Sequence, residues 1–347
     1  MGLVERLKDG EDVLIAEGYL WECERRGYIT LGANIPEVVI ENPGLLKGLH
    51  EEFVHAGTDV VEAFNYYAHR SKLRMIGRED DLERLNRMAL KMAREVADAS
   101  GKLMAGGLCG TLEYKADDPK SIEWVRSMFK ARNSGHLHEL IEWVVEEKAD
   151  FIIAETFYTF GEAMLALETI KEFGHGLPAV ITLAPHASNE TFDKVPLVEA
   201  CVKLEQAGAA VVGLNCGRGP TTMLPLIKEI RAACKGPIAA LPVCYRTNED
   251  SKSFQSLRDP MTGELLKYID LACVHCSRTD IRKFGEAAKA IGVNYVGLCC
   301  GNAANYFREL AESYGRKPEA CKYSPNLTGS TVFSEGADAD WYRYFVG

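Results

Sequence analysis

Eight short, strongly apolar runs recur along the chain, each followed by a longer amphipathic stretch, and this alternation narrows the fold more than any other feature. The runs are Val13 to Tyr19, Val60 to Phe64, Leu103 to Cys109, Phe151 to Phe157, Ala179 to Leu183, Val211 to Cys216, Ile238 to Val243 and Tyr295 to Cys300. Most are too apolar for a strand with one wet face and suit a parallel sheet covered on both sides. Between them, Glu162 to Phe173 and Leu197 to Gln206 have helical spacing and stop at Gly174 and Gly208. Eight strands, each followed by a helix, predict an α/β fold of the (β/α)8 TIM-barrel type.

No composition break divides the 347 residues before a polar tail. One barrel domain is therefore expected over residues 1–316, with a short C-terminal tail over 317–347. The aromatics of that tail, Trp341, Tyr342, Tyr344 and Phe345, have two docking places open to them: the barrel, or a second copy of the chain in a homo-oligomer. The interruption from Tyr245 to Arg278, between strand seven and a helix over Asp280 to Ile291, is the expected active-site loop.

Charge and cysteine usage limit the partners. Fifty acidic against 40 basic residues give a net charge of −10 with no long basic cluster, which argues against nucleic acid. No apolar stretch approaches the roughly 18 residues that span a bilayer, and the start, Met1 to Glu11, lacks the apolar core of a signal peptide. A soluble, cytoplasmic protein with no membrane partner is expected. Eleven cysteines, an odd number at irregular spacing, fit a reducing compartment rather than a disulfide scaffold.

In a parallel barrel the chemistry gathers at the carboxyl ends of the strands, and three cysteines stand there. Cys216 ends one apolar run and precedes Gly217-Arg218-Gly219-Pro220; Cys299 and Cys300 end another and precede Gly301. Adjacent residues of a strand face opposite ways, so Cys299 and Cys300 can share a metal only where the strand breaks into a turn, a break Gly301 supplies. Spacing alone leaves two readings: a three-thiolate zinc site with an open fourth position, or small apolar side chains filling buried strand ends. Cys273-Val274-His275-Cys276 has the spacing of a half zinc site but no matching second half. Cys23, Cys109, Cys201, Cys234, Cys244 and Cys321 read as packing residues, and His136 and His138 show no ligand spacing.

Gly213-Leu-Asn-Cys216 and Gly297-Leu-Cys-Cys-Gly301 resemble the zinc-binding signatures of the homocysteine S-methyltransferase family. Val4-Glu-Arg-Leu, Glu24-Arg-Arg-Gly-Tyr28 and Phe151-Ile-Ile-Ala-Glu155 are closest to its betaine-homocysteine branch. The resemblance, over roughly residues 3 to 315, implies Zn2+ on Cys216, Cys299 and Cys300, with the thiol of homocysteine as the fourth ligand. It implies transfer of a methyl group from a small onium donor, glycine betaine or a related trimethylammonium or sulfonium compound, to that thiolate, giving methionine. It places the acceptor against Glu17, Gly18, Glu155 and Asn215, and the donor's cation against Tyr66 and Tyr67. No catalytic group beyond the metal-activated thiol is required, because displacement at a methyl carbon needs positioning rather than an acid or base.

Several residues depart from the branch. Glu17 stands for aspartate and Tyr19 for a glycine, which is expected to change the size of the acceptor pocket; Ala63 stands for a threonine, Asn34 for the tryptophan over the donor's cation, and Thr156 for an aromatic. Arg218 is either a partner for a substrate carboxylate or a rim arginine in solvent. The alternatives left open are a methyltransferase using S-methylmethionine or S-adenosylmethionine, one using another thiol, and a non-catalytic zinc- or thiol-binding barrel. A zinc hydrolase would need histidine and carboxylate ligands, and the cysteine set argues against it.

Overall fold

The computed structural model describes residues 1–30, 32, 34–129 and 140–326. Eight strands close into an all-parallel barrel in sequence order: β1 Val13–Ala16, β2 Val60–Glu62, β3 Leu103–Cys109, β4 Phe151–Phe157, β5 Ala179–Leu183, β6 Val211–Asn215, β7 Ile238–Leu241 and β8 Tyr295–Leu298. The (β/α)8 architecture read from the apolar runs is the architecture found. His136, His138 and the aromatics from Trp341 to Phe345 lie outside the described residues.

The two-residue period of a strand divides each run between two cores. Val13, Ile15, Val60, Leu103, Ala105, Phe151, Ile153, Val180, Val211, Ala239, Leu241 and Tyr295 fill the barrel interior. Their neighbours, such as Leu14, Val61, Ile152, Ile181 and Val212, face the surrounding helices. Leu3 and Leu7, from the helix Leu3–Lys8, join the interior cluster and stop the barrel at its amino end. The barrel is thus packed below and can open only above.

Five runs were read too long at their carboxyl ends, and at β1, β6 and β8 the reason is local. Beyond Ala16 the chain enters the left-handed region at Gly18 (φ 88°), and beyond Asn215 it does so at Cys216 (φ 56°) and Gly217 (φ 63°). Positive φ ends an extended strand and costs a non-glycine residue about 1–2 kcal/mol. β8 likewise stops at Leu298, before the turn through Cys299, Cys300 and Gly301 (φ 83°). Glu17, Gly18, Cys216, Cys299 and Cys300, singled out for chemistry, are among the residues that leave the ladder.

The helices match their patterns closely. Phe160–Phe173 and Leu197–Gln206 are helical, and Arg278–Ile291 starts from a capping box in which Ser277 and Asp280 satisfy each other's backbone N–H. At the other end of the chain, the short 3-10 helix Glu319–Tyr323 lies against the barrel, with Pro318 packed on Gly57. In the 245–278 insertion, two 3-10 turns, Phe254–Ser256 and Tyr268–Val274, are held at the base by a bridge between Tyr245 and His275.

Candidate active site

At the open end of the barrel Cys216, Cys299 and Cys300 come together from β6 and β8, with sulfurs mutually within 4.8 Å. Cys216 Sγ lies 3.6 Å from Cys300 Sγ, and Cys299 Sγ lies 3.9 Å from it. Tetrahedral zinc with bonds of about 2.3 Å separates its sulfurs by about 3.8 Å, so the three thiols fit a zinc ion. Hydrogen bonds from Cys299 and Cys300 hold the Cys216 thiol well below its ordinary range. Giving a hydrogen bond to Cys216 pushes Cys299 up, and burial does the same for Cys300.

Backbone geometry aims these thiols. Cys216 N–H donates to the carbonyl of Leu241, and a Cβ at Gly217 would stand 2.0 Å from the carbonyl oxygen of Pro185. Just beyond β1, the neighbour of β8, a Cβ at Gly18 would meet the Cys299 carbonyl oxygen at 2.5 Å. Asn302 ties the same corner by donating to the carbonyl of Glu17 at 3.0 Å. Only glycine serves at either contact, because both have positive φ and neither has room for a side chain.

The cysteines open on a cavity of about 180 Å³ that Gly18, Glu155, Tyr66, Tyr67 and Asn34 also line. Trp21, Tyr158 and Phe254 add aromatic surface to its wall. Trp21 sits edge-on to Tyr268 and Phe254, at 5.4 and 6.1 Å between ring centroids. Tyr158 stacks on Phe192 at 5.5 Å, which fixes its ring. Burial pushes the Tyr66 and Tyr67 phenols well up, so their rings stay neutral.

Glu155 is placed by a bulge in β4, where Thr156 takes φ 59°. Asn215 Oδ1 accepts from Thr156 N–H and from the Thr182 hydroxyl, both at 2.9 Å, while its amide donates to Glu155 Oε2 at 2.5 Å. Asn215 therefore positions Glu155, its own amide being occupied by neighbours. Burial pushes Glu155 up to about 7. Burial raises Glu17 well above the usual carboxylate range, and the neighbouring Glu155 adds to the effect. Glu62, buried beside Glu155 at the end of β2, is raised by the same two causes.

Two readings of the departures need correction. Tyr19 does not narrow the acceptor pocket: its ring is buried against His50, Phe53 and Phe64, outside the cavity wall. Arg218 is neither a carboxylate partner nor a solvated rim group. It is 3% exposed and donates to the carbonyls of His186, Ala187 and Ser188 and to Asn189 Oδ1, at 2.6 to 3.2 Å. Of the other cysteine motif, Cys276 is buried, Cys273 is exposed, and His275 Nδ1 meets the Tyr306 hydroxyl at 2.9 Å.

Trp21, Tyr158, Phe254 and Glu62 were not singled out from the sequence. Glu62 had a readable signal, since it ends an apolar strand with the parity of Val60, two residues earlier in the barrel interior. Trp21 and Phe254 had none, because a helix and a distant insertion bring them to the wall.

Comparison with known proteins agrees with this arrangement. The family model described as homocysteine S-methyltransferase matches residues 11–314. The chain is 32% identical over 321 residues to a Bos taurus protein named betaine--homocysteine S-methyltransferase 1, covering 90% of this chain and 74% of the relative. It is 33% identical over 317 residues to a Pongo abelii S-methylmethionine--homocysteine S-methyltransferase, covering 90% and 80%. The metallated form of the homocysteine methyltransferase MmuM from Escherichia coli has a similar fold, with a TM-score of 0.68 at 18% identity over 89% of this chain and 99% of that one. The chain carrying this three-cysteine barrel mouth belongs to the homocysteine S-methyltransferase family.

Proposed function

We propose that the protein is a zinc-dependent methyltransferase that moves a methyl group from a small onium donor to the thiol of homocysteine. The observation that carries the reading is the meeting of three thiols at zinc-like spacing with a buried carboxylate and an aromatic wall around one small cavity. When bound, zinc supplies the Lewis acidity that keeps an incoming thiol deprotonated at neutral pH. The chain's own residues do the rest. Cys216, Cys299 and Cys300 would hold the ion, and Glu155 and Glu17 would receive the acceptor's ammonium.

The reaction forms one S–CH3 bond and breaks one N–CH3 or S–CH3 bond, the electron pair leaving with a neutral amine or thioether. Positive charge on the donor disappears as sulfur takes the methyl, so a cation held by neutral rings is suited to the step. Tyr66, Tyr67, Tyr158 and Trp21 offer such faces, with Trp21 supplying the indole that Asn34 does not. Among the described residues the cavity wall contains no lysine or arginine. A donor carboxylate would be met by the amides of Asn34 and Gln255, which are part of that wall.

The relatives named above act on betaine and on S-methylmethionine, and both donors fit the onium class. The test is zinc content per chain together with methyl transfer to homocysteine from a panel of trimethylammonium and sulfonium donors. One zinc per chain, lost in Cys216→Ala, with turnover from at least one donor is the expected result. Zinc without turnover would favour a non-catalytic thiol-binding barrel, and a chain without zinc would overturn the reading.

A further inference from the structure

The two carboxylates assigned to the acceptor have a third beside them. Glu62 is fully buried at the end of β2, and its carboxyl and that of Glu17 both lie within hydrogen-bonding reach of Glu155. Glu155 Oε2 is already occupied by Asn215 and by the Thr156 hydroxyl. In contrast, both oxygens of Glu17 and both of Glu62 are buried without any hydrogen-bond donor. Three carboxyl groups thus converge with little besides their own protons to bridge them, which is costly in a protein interior.

A second observation points into the same place. Tyr295, on the inward face of β8, is fully buried, its hydroxyl has no partner, and the charges of Glu17, Glu62 and Glu155 all act on it. The polar atoms around this point therefore include four unpartnered carboxylate oxygens and one unpartnered hydroxyl. Glu17 and Glu155 join this place to the thiol cluster, because their ligand atoms and that of Cys299 lie within 4.8 Å of one another.

What satisfies three converging carboxylates is a group with three donors and a positive charge. An alkylammonium has three N–H bonds spread around its C–N axis, one for each carboxylate. A guanidinium would need a planar arrangement of acceptors, and a neutral amine would bring no positive charge to favour ionisation of these carboxyls. We propose that Glu62 is a specificity-determining residue of the acceptor pocket, completing with Glu17 and Glu155 a three-carboxylate seat for a primary ammonium group. The inference rests on the acceptor reading above and sharpens it: the thiol substrate carries a free α-ammonium, and thiols without one are used only at a higher KM.

The test compares two thiols on the zinc-loaded enzyme, L-homocysteine and 4-mercaptobutanoic acid, which differ only in the amino group. Glu62→Gln, close in volume and neutral, is expected to raise the KM for homocysteine by about tenfold or more. The KM for the donor and the KM for 4-mercaptobutanoic acid should stay within about twofold. Calorimetric titration of homocysteine without donor should show the same weakening. An equal loss for both thiols, or no loss for homocysteine, would overturn the role given to Glu62. If Glu62→Gln does not fold, Glu62→Asp keeps the charge and withdraws it by one methylene, and a smaller loss confined to homocysteine is then expected. Failure of the wild-type enzyme to use homocysteine at all would instead overturn the proposed function.

Discussion

Gly18 and Cys299 touch through their backbones: a side chain at Gly18 would begin 2.5 Å from the Cys299 carbonyl oxygen. Since Gly18 also has φ 88°, Gly18→Ala has to move the turn that carries two of the three cysteines. We expect this variant to fold but to lose bound zinc and methyl transfer together, the latter by about 10²-fold, the scale of an ångström-sized misplacement. Metal analysis and initial rates on the same preparation check it.

Arg218→Met separates a packing role from a substrate role. The guanidinium serves the loop from His186 to Asn189, so its removal strands several buried acceptors at a cost of about 3 kcal/mol or more. Urea unfolding should show that loss. Donors with and without a carboxylate should suffer alike in KM, whereas a selective penalty on carboxylate-bearing donors would mean that Arg218 reaches the substrate.

Trp21 is expected to act on the donor alone. Trp21→Leu keeps an apolar wall but removes the indole face, and a desolvated cation-π contact of about 1–2 kcal/mol corresponds to about a 5- to 30-fold rise in donor KM. Homocysteine KM should stay constant. A change in the acceptor constant of similar size would place the indole at the wrong substrate.

The acid cluster makes the metal-free, substrate-free protein sensitive to alkali. Burial raises Glu155 to about 7, above the carboxyl's unfolded range, so the folded state binds this proton more tightly than the unfolded chain. Its contribution is complete below pH ~4.5 and is lost as pH rises through about 7. Glu155→Gln should therefore stabilise the apoprotein at pH 8, by about 2 kcal/mol, and change little near pH 4.5. Thermal unfolding at the two pH values gives the comparison.

The insertion between β7 and the Arg278–Ile291 helix contributes Phe254 and Gln255 to the cavity wall, and its outer part exposes Arg258 and Lys267. Trypsin should cut there in the free enzyme. Homocysteine with zinc is expected to slow that cleavage; unchanged cleavage would count against a loop that responds to substrate.

Much of this was legible because barrel strands are apolar on both faces and end where function begins. The eight runs and the three cysteines follow from that rule, whereas Glu155, two residues inside the end of β4, was legible through the family resemblance. Strand ends were misjudged at Cys216 and Gly18, where left-handed residues stop an extended chain that still reads as apolar. Tyr19 and Arg218 were misread for a different reason: the sequence gives their type and position, but whether a side chain turns inward or outward after a strand ends depends on the turn. Trp21, Tyr158 and Phe254 meet at the wall from three separate segments, a convergence that no local pattern carries.

The stopper of Leu3 and Leu7 at the amino end of the barrel has a kinetic corollary. With that end packed shut, the open end is the one entrance among the described residues, and the proposed carboxylate seat lies further in than the aromatic wall. Whatever occupies the seat has to arrive first, and a donor already lodged among the rings would block its path. Under the proposed function the expected order of binding is acceptor before donor, with excess donor acting as a dead-end competitor of the thiol.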